Sequence, residues 1–164
     1  MEKLKQALHQ AYTGEAKAAL RLKAYAEQAR EEGYPQLAKL FDVISFSEEL
    51  HGRRALTLLR QVKGTEENLA DSFASETKVA GVAYTEFIKL AEKVGDKSAS
   101  LYFSQSRDVE ATHAKLYREA MDHLLEERQT TYCVCKVCGY VADGIVPQQC
   151  PICGARQEQF VQFD

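Results

Sequence analysis

Apolar residues recur at steps of three and four along the first 128 residues, the spacing that lines one side of an α-helix. Four segments carry the pattern, at about 3–32, 36–62, 66–94 and 98–128. Gly33-Tyr34-Pro35 ends the first and opens the second, because glycine terminates helices and proline suits a first turn. Lys63-Gly64-Thr65 and Gly95-Asp96 make the other breaks. At 1.5 Å per residue each helix would run roughly 40–45 Å. Four such helices with short breaks predict an all-α four-helix bundle.

The pattern and the composition both change near Gln129-Thr130-Thr131. No cysteine precedes Cys133, and then five fall within 21 residues, together with two of the three prolines. This predicts a helical domain over 1–128 and a small cysteine-stapled domain over 129–164. Hydrophobic residues make up 45% of the chain, enough for a core. Lys+Arg 21 against Asp+Glu 24 gives a net charge of -3, too balanced to suggest a nucleic-acid or membrane-surface binder. No apolar run nears the roughly 20 residues that span a bilayer. Met1–Gln10 is polar with no apolar signal region, so a cytoplasmic protein is expected.

The two halves of the helical part resemble each other. Glu15-Ala-Lys17 recurs as Glu76-Thr-Lys78, 61 positions on; Phe41, Glu48 and His51 recur as Phe103, Glu110 and His113, 62 positions on. A duplicated helix pair is expected. Glu48-x-x-His51 and Glu110-x-x-His113 each place a carboxylate and an imidazole on one helical face. One such motif is usually a solvated surface. Two on alternate helices, with Glu15 and Glu76 on the remaining pair, form the ligand pattern of di-iron carboxylate bundles. Small residues around Glu15 and the apolar run Leu40, Phe41, Val43, Ile44 and Phe46 before Glu48 argue that these groups point inward. Four carboxylates gathered there would repel at a cost of several kcal/mol each, so a pair of multivalent cations is expected to compensate. Carboxylate and imidazole donors without thiolate suit Fe or Mn.

Cys135-x-x-Cys138-Gly139 and Cys150-x-x-Cys153-Gly154 are two turns separated by 11 residues. Each glycine lets the chain turn tightly and aim N–H groups at the sulfurs. Four thiolates at this spacing hold one tetrahedral ion, Fe or Zn. Cys133 lies outside both turns and reads as a packing residue or a surface thiol.

Together these features resemble the rubrerythrins across nearly the whole chain. The similar stretches are Glu31-Glu-Gly-Tyr-Pro-Gln-Leu-Ala-Lys-Leu-Phe41, both Glu-x-x-His motifs, Glu66-Glu-Asn-Leu69, and the two knuckles with Pro147 before the second. The resemblance implies a ferritin-like di-iron bundle joined to a rubredoxin-like FeS4 domain. It implies reduction of hydrogen peroxide with electrons from a reductase that enter through the FeS4 centre. Glu15 and His51 would be terminal on one iron, Glu76 and His113 on the other, with Glu48 and Glu110 bridging. Tyr84 matches a tyrosine near the di-iron site, and Leu22 stands where the family has a first-helix tyrosine.

One departure stands out. The family's third helix usually carries Glu-x-x-Glu, whose second Glu exchanges with the second-helix His during redox cycling; here the text is Glu76-Thr-Lys-Val79. Valine cannot ligate. Dioxygen as oxidant and ferroxidase-type iron handling therefore remain alternatives to peroxide reduction, and a scaffold with a Zn knuckle is a third. The fourth helix carries the chain roughly 22 Å beyond His113 and the connector Gln129–Tyr132 is short, so a chain's FeS4 domain is expected far from its own di-iron site, a fold back along the bundle being the alternative. Electron transfer between subunits of a head-to-tail homodimer is thus expected.

Overall fold

The computed structural model describes residues 1–123 and 130–163. They form two compact units, Met1–Lys63 and Gly64–Asp164. The expected domain boundary at 128/129 and the last residues of the fourth expected helix lie outside the described residues. Among the described residues, no helix is long and apolar enough to cross a membrane.

The first unit is an antiparallel helical hairpin, α1 (Glu2–Glu31) and α2 (Pro35–Leu58), turned at Gly33 with φ +81°. Its buried positions are nearly all small: Ala19, Ala26 and Ala29 on α1, and Ala38, Ser45, Gly52 and Ala55 on α2. Seven-residue steps (19, 26 and 38, 45, 52) place these residues in one stripe per helix, so the two backbones approach closely. The Ser45 hydroxyl donates to the Ala19 carbonyl at 2.8 Å, a bond possible only because both helices are thin there. Lys23–Glu49 and Arg30–Asp42 ion pairs flank the stripe, and Tyr25 meets Phe41 edge-on.

The second helix ends earlier than the apolar pattern suggests. The Arg60 N–H donates to the Thr57 carbonyl and the Gln61 N–H to the Leu56 carbonyl, with Arg60 at φ +55°. This is a left-handed cap of the kind glycine usually makes. It folds the start of the connector back onto α2.

In the second unit the third expected helix is interrupted. α3 (Thr65–Lys78) passes through a π turn (Val79–Ala83) into α4 (Tyr84–Val94). The Tyr84 N–H reaches back five residues to the Val79 carbonyl. After Gly95, at φ +80°, α5 (Lys97–Asp122) begins with Asp96 capping the Ala99 N–H at 2.9 Å. Tyr84, Phe87, Tyr102 and Phe103 pack as an aromatic cluster where α4 meets α5. Arg118 lies over the Phe73 ring, 4.2 Å from its centre, and ties α3 to α5.

The C-terminal part is a small antiparallel sheet of order β2-β1-β3, with β1 Tyr132–Cys135, β2 Val141–Asp143 and β3 Phe160–Phe163. Cys133 on β1 is 1% exposed and is a packing residue, one of the two readings expected for it. Gly139 approaches Val109 on α5, where an added Cβ would lie 3.9 Å from the valine methyl. The sheet domain is thereby seated against α5.

Candidate metal centre

The six expected bundle ligands fall into two clusters of three. In the first unit Glu15 from α1 joins Glu48 and His51 from α2; in the second, Glu76 from α3 joins Glu110 and His113 from α5. Within each cluster one ligand atom from every residue lies within 4.8 Å of the others. The local geometry repeats: His51 Nδ1 is 3.0 Å from Glu48 Oε2, and His113 Nδ1 is 3.0 Å from Glu110 Oε2. One turn of helix sets that spacing, so the duplicated motif produces a duplicated half-site.

The second half-site is under electrostatic load. Burial pushes the Glu76 carboxyl up to about 7, and its hydrogen bond to Glu110 and the Glu110 charge add to the rise, while His113 opposes it. Burial and the neighbouring carboxylate thus favour the protonated form of Glu76, where a cation would bind without the proton. Hard oxygen donors, an imidazole and this repulsion fit a divalent iron or manganese ion.

Tyr84 reaches this region because of the π turn. Eight residues after Glu76, it would sit roughly 80° away around a straight helix. One extra residue taken up by the π turn reduces this to about 20°. Tyr84 is half-buried, it hydrogen-bonds with Ser106, and burial first and the nearby Tyr102 and Glu110 then hold its hydroxyl in the protonated form. The apolar periodicity gave no sign of the π turn, since Val79-Ala-Gly-Val-Ala83 reads equally well as α-helix. Val79 falls at its first position.

Cys135, Cys138, Cys150 and Cys153 converge as expected. The Cys135–Cys153 sulfurs are 3.8 Å apart and the Cys138–Cys150 sulfurs 3.5 Å. A tetrahedral ion with bonds of about 2.3 Å needs edges of about 3.8 Å, whereas a disulfide needs about 2.0 Å. The four thiols form a metal cage. Gly139 and Gly154, at φ +83° and +74°, turn each knuckle so that their N–H groups donate to the carbonyls of Cys135 and Cys150. Burial raises the thiols of Cys138 and Cys153. At Cys135 burial acts the same way but is outweighed by the N–H groups of Cys138 and Val137, which lower it. A cation at the centre would remove the remaining protons.

The first knuckle abuts the second half-site. His113 Nε2 lies 3.3 Å from the Gly139 carbonyl. A carbonyl and a carboxylate both only accept, so a cation held between Nδ1 and Glu110 would leave Nε2 as the ring nitrogen that donates to the Gly139 carbonyl. Metal-bound histidines commonly hold their tautomer this way. The expectation that a chain's cysteine domain lies far from its own ligands is therefore corrected: the domain folds back on α5 through the Val109–Gly139 contact, and one hydrogen bond separates a knuckle residue from His113. Helix length alone carried no information about that return. Between α5 and the sheet, Leu69, His113, Leu116, Tyr117, Tyr132 and Val141 line a cavity of about 400 Å³.

Comparison with known proteins gives the same picture. The rubrerythrin family profile matches residues 6–121, and that of the rubrerythrin rubredoxin-like domain matches 134–161. The chain is 28% identical to rubrerythrin-2 of Clostridium acetobutylicum, over 95% of this chain and 94% of that protein. It is 27% identical to nigerythrin of Nitratidesulfovibrio vulgaris, over 95% and 84%. A nigerythrin structure described as fully reduced and all ferrous superposes with a TM-score of 0.61 at 25% identity, over 97% of this chain and 86% of that one. The expected fold class, an all-α ferritin-like bundle with a small C-terminal rubredoxin-like domain, holds.

Proposed function

The chain belongs to the rubrerythrin family, and from that premise we propose that it is a cytoplasmic di-iron oxidoreductase that reduces hydrogen peroxide to water. The family's cofactors are a di-iron centre and a rubredoxin-like iron. In this reading Glu15, Glu48 and His51 would hold one iron and Glu76, Glu110 and His113 the other. Cys135, Cys138, Cys150 and Cys153 hold the third iron, and Zn fits the same cage without redox activity. The bound irons supply the two electrons that, with two protons, convert hydrogen peroxide into two waters.

The observation that carries this reading is the hydrogen bond between Gly139, next to a knuckle cysteine, and His113. A cage built to pass electrons from a reductase has its exit against a ligand of the bundle site; a ferroxidase draws electrons from Fe(II) and has no use for such an entrance. With a metal on Nδ1, His113 would donate its Nε2–H to Gly139. Tyr84, with its proton retained, stands near Glu110 as a hydrogen-bond donor toward substrate oxygen. The second reading, iron oxidation and handling at the same ligands, draws on Val79, which leaves no carboxylate for ligand exchange. Anaerobic reduction followed by stopped-flow mixing with hydrogen peroxide and, separately, with dioxygen decides between oxidants. Faster reoxidation of both centres by peroxide supports the proposal. Reoxidation by dioxygen alone, or turnover only with added Fe(II), rejects it.

A further inference from the structure

Resting on the proposed di-iron reading, we infer that the cavity beside Glu48 in the first unit is a substrate site, and that it admits small uncharged organic hydroperoxides as well as hydrogen peroxide. The cavity has a volume of about 290 Å³, opens to solvent between α1 and α2, and has Glu48 in its wall. One residue of the first ligand triad therefore borders a space reached from the surface of Met1–Lys63. Gly52 makes that space. It stands one turn after Glu48 on α2, so a side chain there would lie over the same helical face. A glycine inside a helix costs about 1 kcal/mol against alanine. Packing between the helices does not demand it: an added Cβ would lie 3.8 Å from Glu15 Cβ and 4.0 Å from the Tyr12 ring, both ordinary contacts. What the glycine provides is room beside Glu48, which any side chain longer than alanine's would take up. The duplicated position, 62 residues on, is Ala114, so the missing side chain is particular to the first triad.

Size and lining together select the ligand. Hydrogen peroxide has two oxygen atoms and, at about 30 Å³ for each water-sized group, fills only about a fifth of the cavity. The remainder has room for a carbon body. Ala16, Leu20 and Leu56 offer hydrocarbon to such a body, while Glu48 and Tyr12 bring polar groups to the same space. A molecule with an apolar body and an oxygen head matches this division, and an organic hydroperoxide is one, with its O–O bond set toward the carboxylate. Lys23 and Arg53 also border the cavity, but both pair with Glu49, so they do not call for an anionic substrate. Reduction breaks the O–O bond with two electrons from the di-iron centre and two protons from water, and gives the alcohol and one water.

Two measurements on the full chain test this. The first needs no iron chemistry: zinc-loaded protein, which is diamagnetic, is titrated with 2-phenyl-2-propanol, the alcohol formed from cumene hydroperoxide, and its backbone amides are followed by NMR. Saturable shifts centred on Ala16, Leu20, Gly52 and Leu56 are expected, and Gly52→Leu, which fills the cavity, should weaken binding at least tenfold. The second follows reoxidation of reduced, iron-loaded protein by cumene hydroperoxide and, separately, by hydrogen peroxide. Wild-type protein should react with both, and Gly52→Leu should lower the ratio of the two rate constants, organic over hydrogen peroxide, at least fivefold. Ala16→Phe serves in both measurements where Gly52→Leu does not fold. Shifts that are absent or centred elsewhere, or an unchanged ratio in a folded, filled variant, overturn the substrate site. Reoxidation by hydrogen peroxide with none by cumene hydroperoxide overturns the substrate class. Reoxidation by neither rejects the di-iron peroxidase reading itself.

Discussion

Gly139→Ala separates the two things Gly139 does, shaping a knuckle and presenting a carbonyl to His113. The residue sits at φ +83°, where an alanine costs about 1–2 kcal/mol. Its new Cβ would lie 3.9 Å from Val109, an ordinary contact, so sterics add little. For a chain of this length each kcal/mol lowers Tm by about 2–4 °C, which gives an expected loss of about 2–8 °C. Gly95→Ala is the matched control: its φ is +80°, nothing lies within 4 Å of the added Cβ, and it occupies the α4–α5 turn. The two variants should lose similar stability by thermal melting. Only Gly139→Ala should also slow reoxidation of the FeS4 centre by peroxide, because the strained peptide rotates its carbonyl away from Nε2. Equal reoxidation rates in the two variants, at equal loss of stability, would refute the role given to the His113–Gly139 hydrogen bond.

Val79→Glu restores a carboxylate three residues after Glu76 and should raise peroxide turnover; unchanged steady-state rates would show that ligand exchange is dispensable here. In metal-free protein the raised Glu76 carboxyl makes stability depend on pH. Between the usual value of 4.5 and about 7 the native state holds a proton that the unfolded chain has released, so stability falls as pH rises through this window and levels off above it. Urea melts at pH 5 and pH 8 check the sign, and bound iron should abolish the difference. Ser45→Ala removes the bond to the Ala19 carbonyl and should cost about 1 kcal/mol by urea unfolding. Ala38→Leu, which wedges the close helix contact apart at a position 2% exposed, should cost about 1–3 kcal/mol.

What could be read from the sequence was whatever repeats at short range. Helix spacing and the Glu-x-x-His step are set within one turn, and the knuckles within four residues, so which of these residues cluster could be read from pattern alone. The π turn was invisible because it changes hydrogen-bond partners without changing the apolar periodicity that signals a helix. The end of α2 was misplaced because Arg60 takes a left-handed cap that its side chain does not advertise. The return of the cysteine domain onto α5 depends on the shape match of Gly139 with Val109, two residues 30 positions apart and unremarkable singly.

The two half-sites share a ligand set but not their surroundings, and this difference gives the duplicated bundle a direction. The His51 side chain is 60% exposed and that of His113 25%, although each pairs with its glutamate at the same 3.0 Å. The difference comes from what covers the outer ring nitrogen: a knuckle carbonyl at His113 and, among the described residues of its unit, no equivalent at His51. A hydrogen bond from Nε2–H to a carbonyl makes an imidazole a stronger donor to metal. In the proposed site an iron held by His113 would be the one that electrons reach first, beside the more electron-rich histidine. Two triads alike in sequence are made unequal by the cysteine domain packed against one of them, and in the proposed function that inequality would set the direction of electron flow.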